Sequence, residues 1–195
     1  MSLALLADLA QILAEAFLEP DARLKEGLEQ LLDGCPSPSL AAPLGRMAAS
    51  CLSPEDQPVE YARLFLHARD TDTVYLFESV QARGHHLAPE VLEPLKAIYD
   101  EADISLQEDL AIPPDHLGLE LACLGYLLGQ VLEADPDERQ RFVGLAQRLL
   151  RDHLSPFVVL VAEQLPQVQA HPYYLAASEL TAVLVRETGK ALGEI

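Results

Sequence analysis

Apolar residues recur along this chain with a period close to 3.6. Leu3, Leu6, Leu9, Ile12, Leu13, Ala16 and Phe17 form one stripe, and Leu24, Leu28, Leu31 and Leu32 form a second. Leu117, Leu121, Leu124, Leu127, Leu128, Val131 and Leu132 form a third that is apolar around much of its circumference. Phe142, Leu145, Leu149 and Leu150 form a fourth. This spacing puts each set on one face of an α-helix, and the all-round apolar segment predicts a central, buried helix. Helix starts are punctuated in a repeating way. Ser37-Pro38, Ser53-Pro54, Asp135-Pro136 and Ser155-Pro156 each put a side-chain acceptor at the cap and a proline at the first turn, where its missing N–H costs nothing. Asp135 with Glu138 resembles a capping box, and Pro172 opens a last helix. The best strand candidate, Thr73 to Phe77, is short and isolated. The pattern predicts an all-α, single-domain bundle of about eight to ten helices over residues 1–195, with no repeats and no low-complexity linker.

Two segments break the periodicity. One runs from His67 to Gly84 and carries Asp70, Thr71, Asp72 and Thr73 before Tyr75, Phe77, Glu78 and Ser79. The other runs from Glu101 to Pro114, and its Ile112-Pro113-Pro114 ending disfavours helix.

Charge changes the picture next. Thirteen Lys and Arg face 31 Asp and Glu, a net of −18. Residues 1–110 hold 20 acids and 7 bases, and Glu93, Asp100, Glu101, Asp103, Glu108 and Asp109 crowd into one stretch beside Lys96. This balance excludes a general nucleic-acid binder and docking on an anionic membrane, and it suits a basic partner. The apolar N-terminal stretch lacks the basic start of a secretory signal and is interrupted by Asp8 and Glu15. The Leu117–Leu132 stretch has 16 residues with Glu120 and Gln130 inside it, short of the ~18–20 that span a bilayer. Cys35, Cys51 and Cys123 form no CxxC pair and read as small hydrophobes. A cytoplasmic protein with no membrane insertion is expected.

Candidate chemistry is thin. Phosphate-binding glycine loops and the Gly-x-Ser-x-Gly elbow are missing. Asp115-His116 reads first as an Asp N-cap with His116 at the first helical position. His116 and Glu120 share a helix face, a spacing that usually gives a satisfied core contact. His85-His86 and the two Asp-His dipeptides leave a helical metal-dependent hydrolase as an alternative, although no i, i+4 zinc pairing supports it. Tyr61, Leu64 and Phe65 fall on one helix face, and Tyr75, Phe77 and Tyr99 lie near acids. An apolar groove rimmed by carboxylates accepts a peptide with a basic end and an apolar stretch.

Taken in order, five groups of residues carry a resemblance. They are Tyr61-Ala-Arg-Leu64-Phe65, Phe77-Glu78-Ser79-Val80, Pro113-Pro114-Asp115-His116-Leu117, His153-Leu154-Ser-Pro156-Phe157 and Pro172-Tyr173-Tyr174. Their order and spacing resemble the TorD/DmsD/NarJ family of maturation chaperones for molybdenum enzymes, from about residue 55 to 190. The resemblance implies an all-helical protein that is not an enzyme and carries no cofactor. Its partner would be an apo molybdopterin oxidoreductase subunit, bound through its N-terminal leader to aid cofactor insertion, assembly and export proofreading. The leader-binding residues implied are Tyr61, Leu64, Phe65, Phe77, Glu78, Ser79, Pro113, Asp115 and His116. Asp115 would meet the leader's arginines while Leu64, Phe65 and Phe77 line the apolar part. Ile112 stands where the family's hot spot has Glu, and Phe157 where many relatives carry Trp. A full twin-arginine leader and a remnant leader both stay open, as do a monomer and a dimer. A generic helical adaptor is the remaining alternative.

Overall fold

The computed structural model describes residues 2–18, 24–66, 73–105 and 112–193. The described residues form an all-helical domain with no strands. Ten α-helical segments follow in order: α1 Leu3–Leu18, α2 Leu24–Asp33, α3 Pro38–Ala49, α4 Asp56–Tyr61, α5 Glu78–Arg83, α6 Pro89–Glu101, α7 Leu117–Glu133, α8 Pro136–Leu149, α9 Ser155–Gln164 and α10 Pro172–Gly193. Widened π turns, Ala62–Leu66 and Leu150–Leu154, extend α4 and join α8 to α9.

The centre is built by α1, α7 and α10. Helix α7 buries ten residues, two of them glycines, and α1 lies along it. Glycine permits that approach. A Cβ at Gly118 would collide with the Leu18 side chain and lie 3.0 Å from the Ala14 carbonyl, and one at Gly125 would meet Gln11 at 2.6 Å. Two turns apart, these positions present backbone rather than side chain to α1. Helix α3 packs on α10, and α8 packs on α7.

Caps explain most boundaries. Asp135 accepts from the Asp137 and Glu138 amides at 3.1 Å, so α8 starts where the sequence predicts. Ser37 and Pro38 open α3, but the Ser37 hydroxyl takes no helix amide and pairs with Ser39 Oγ at 2.9 Å instead. Ser53 accepts from Asp56 N–H at 3.1 Å, but α4 begins only at Asp56, beyond Pro54. Ser155-Pro156 marks the start of α9, with Pro156 in its first turn, but Ser155 caps nothing because Leu154 and Ser155 are themselves helical. The chain passes from α8 through the π turn into α9 without a break, and the widened turn absorbs the bond that Pro156 cannot donate. Thr73–Phe77 is extended, with one antiparallel bridge, Phe77 to His116. Asp70, Thr71, Asp72, Glu108 and Asp109 lie outside the described residues. Of the acidic stretch, Glu101 is held by Arg148 at 2.7 Å and Asp103 by Arg141 at 3.4 Å. No described helix is long and apolar enough to cross a membrane.

Candidate functional site

The nine residues singled out in the sequence separate into two places. Tyr61, Leu64 and Phe65 belong to an aromatic anchor. Leu64 is fully buried and Phe65 nearly so. The Phe65 ring meets Tyr174 edge-on at 5.2 Å and Tyr61 at 5.1 Å, while Phe17 stands 6.3 Å away. The half-buried Tyr61 donates to the Phe17 carbonyl at 2.7 Å. The π turn carries Leu64 and Phe65 into this cluster, against the end of α1 and the start of α10. Burial pushes the Tyr61 hydroxyl up to about 12, so it stays a donor.

Phe77, Glu78, Ser79, Pro113, Asp115 and His116 meet in a second place, a seam between two extended segments. Leu117 N–H donates to the Leu76 carbonyl and Glu78 N–H to the Asp115 carbonyl, both at 2.9 Å. The Asp115 carboxylate accepts from Ser79 N–H at 2.9 Å. It thus caps α5 from across the seam, where a negative charge satisfies an orphan amide and suits the helix dipole. The cap of α7 is His116, whose Nδ1 accepts from Gly118 N–H at 3.1 Å. The expected roles therefore shift by one residue and one helix. Ser79 Oγ accepts from Leu87 N–H at 3.1 Å and steadies a leucine held at φ 59°, in the left-handed region. Tyr99 donates to the Pro114 carbonyl at 2.8 Å and pins the Pro-Pro segment to α6.

Under the seam the interior is polar. His153 Nδ1–H donates to Glu78 Oε2 at 2.8 Å, with both side chains buried. Glu120, on α7, is wholly buried, and its carboxyl lies against that of Glu78, to which its protonated form donates. Burial first, then the Glu78 and Asp115 carboxylates, push its carboxyl well above the usual range. The expected contact between His116 and Glu120 is replaced: His116 turns to the Gly118 amide, and Glu120 meets Glu78. Burial also pulls His116 down to about 4, against the opposing charge of Asp115. Tyr99 is raised by the same burial and by Glu120. Glu120, His153 and Tyr99 were not singled out as site residues from the sequence. A carboxylate in the first turn of the most apolar helix was the available signal for the first. His153 gave none beyond its place in the motif order.

Asp115 is fully buried, one oxygen spent on Ser79 and the other unpartnered. As folded, it is closed to a docked peptide, and what it does is hold two segments together. Leu64 and Phe65 are closed in the same way. Phe77 and Pro113 are the half-buried members of the seam. The Phe77 ring lies edge-on to His86 at 5.0 Å and His116 at 5.1 Å, and His86 is exposed. Among the described residues no three His, Cys, Asp or Glu side chains form a group that could hold a metal ion.

Comparison with known proteins agrees with this architecture. No curated protein matches the chain. The family described as nitrate reductase delta subunit matches over residues 19–163, which take in the α4 π turn, the whole seam and His153. That is a family of non-catalytic maturation chaperones for molybdoenzymes, acting on the nitrate reductase catalytic subunit. The chain belongs to the nitrate reductase delta subunit family.

Proposed function

We propose that this chaperone works in the cytoplasm and recognises the N-terminal leader of its client, a molybdopterin oxidoreductase catalytic subunit, over the seam around Phe77. It would hold the apoenzyme until the cofactor is inserted and delay its export. The observation that carries this reading is the construction of the seam. A half-buried aromatic ring and a proline stand on a surface that is stitched from below by Asp115, Ser79 and Glu78. Surfaces that bind peptides present such apolar anchors on a stiff support. The net charge of −18 draws in a basic leader. Phe77 and Pro113 would touch the leader. Asp115, His116, Glu78 and Ser79 would position that surface, and Tyr61, Leu64 and Phe65 would fix the helix beside it.

The test begins with affinity purification from the native host. A large molybdopterin subunit should co-purify, and recovery of background metabolic enzymes alone would sink the reading. A synthetic leader from the recovered subunit is then titrated by calorimetry at low salt. Phe77→Ala should weaken binding about tenfold, the size expected for one aromatic anchor. Asp115→Ala should weaken it through loosening of the seam, and unchanged affinity in both variants would remove the site.

A further inference from the structure

Two residues in the loop between α5 and α6 take the left-handed conformation. Gly84, at φ 75°, ends α5 and has no Cβ to clash. Leu87 sits at φ 59°, where its Cβ crowds the backbone and glycine or asparagine would fit at lower cost. Burial does not offset that strain, because Leu87 is 55% exposed and stands outside the core. The conformation is nevertheless held from both sides. Leu87 N–H donates to Ser79 Oγ at 3.1 Å, and Ser79 is fully buried with its own N–H on the Asp115 carboxylate at 2.9 Å. Ala88, the next residue, is fully buried as the N-cap of α6, and Pro89 sets the first turn. A bulky residue stays left-handed only where the surrounding structure imposes it, and such residues gather where ligands are clamped.

The seam thus reaches the surface at Leu87, since Asp115 and Ser79 fix its backbone as well as closing the seam. Its surroundings say what it meets. The ring of His86, the preceding residue, stands edge-on to Phe77 at 5.0 Å and to Tyr75 at 6.2 Å. Tyr75 and Phe77 alternate along one face of the extended segment and are half-buried. Leu87 adds an exposed aliphatic side chain beside these rings and has no polar group to offer. The group that gains from meeting it is another apolar side chain, taken out of water. We propose that Leu87 is a specificity-determining contact for the client peptide, taking an aliphatic side chain next to the one seated on Phe77, and that the loop holds a strained backbone in order to present it. This rests on the reading that the peptide docks over the seam.

Leu87→Asn is the informative variant. Asparagine tolerates a positive φ better than leucine does, so the loop keeps its course while the apolar contact is lost. In calorimetry with the synthetic leader of the recovered client subunit, affinity should fall about fivefold, the worth of burying the exposed half of a leucine. The thermal midpoint should stay level or rise by up to about 2–4 °C, because strain is relieved. Leu87→Met keeps an apolar side chain and should bind within about twofold of the unmodified chain. In a double-mutant cycle, Leu87→Asn should couple to alanine replacement of one aliphatic leader residue, a different one from that coupled to Phe77→Ala. A purely structural leucine would lower the midpoint on replacement and leave affinity alone. Unchanged affinity in Leu87→Asn, an equal loss in Leu87→Met, or coupling to none of the leader's aliphatic residues would each overturn the contact while leader binding over Phe77 stands. A leader that does not bind the unmodified chain overturns the reading beneath, and this contact with it.

Discussion

Around Phe65 the interior is aromatic, with the buried Tyr174 hydroxyl its unpartnered polar atom, whereas around Glu120 it is crowded with ionisable groups. In the first region rings from three helices close on one another, and the nearby Tyr61 hydroxyl finds a carbonyl. In the second, three carboxyls and two imidazoles lie buried close together. Glu120 shares its proton with Glu78, while one Asp115 oxygen and His153 Nε2 there have no partner. Packing alone would favour replacing the second region with the chemistry of the first, because each orphaned buried group costs about 1–3 kcal/mol. These groups lie directly under the seam proposed above to meet the client.

Mutations can break this contrast, and the largest effect is expected in the apolar region. Phe65→Ala should cost about 3–5 kcal/mol and lower the thermal midpoint by many degrees, the usual result for a truncated core aromatic. Its effect on leader affinity, measured at a temperature where both proteins are folded, should be small by comparison.

In the polar region the signs differ from group to group, and pH separates them. His116 is held near 4 against about 6.5 when unfolded, so the unfolded chain binds more protons between those values. Stability from this group is present above pH 6.5 and drains away as pH falls toward 4, by about 3 kcal/mol. Denaturant melts across that window should show the slope, and His116→Gln should remove it. Glu120 runs the other way. Its folded carboxyl sits well above the unfolded value, so the native state binds the extra proton and loses stability as pH rises from about 4.5. Glu120→Gln keeps the shape and removes the titration. It should stabilise the protein by about 1–3 kcal/mol at pH 8 and do little at pH 4. A destabilised Glu120→Gln at pH 8 would show that the carboxylate is satisfied in solution and would erase the contrast.

The smallest effect belongs to the surface. Arg46 and Glu179 pair at 2.6 Å with both side chains about half exposed, and Arg46→Ala should change stability by less than about 0.5 kcal/mol in the same melts.

Much of the bundle was legible before any coordinates. The apolar stripes of α1, α7 and α8 lie where a 3.6 period puts them, because a helix face is a local consequence of spacing. Asp135 caps its own helix, and its partners lie two and three residues away. Asp115 carried the same local signature and caps a different helix, 36 residues back in the chain. The seam brings Ser79 N–H closer to its carboxylate than any amide of α7, and nothing in the dipeptide records that. Ser155-Pro156 misled in part, for a related reason. Pro156 does sit in the first turn of α9, but a serine caps a helix only where the chain has stopped being helical, and the π turn kept it going.

The sequence by itself determined the fold class, the central place of α7, the acidic surface and the order of motifs by which the family is known. Those are properties of spacing and composition, which act along the chain. Only the tertiary structure decided that Tyr61, Leu64 and Phe65 stand apart from Phe77 and Asp115. It alone placed Glu78 against His153 and brought Glu120 against Glu78. Hydrogen bonding and desolvation depend on which groups meet in space, and residues 75 positions apart meet only once the helices have packed.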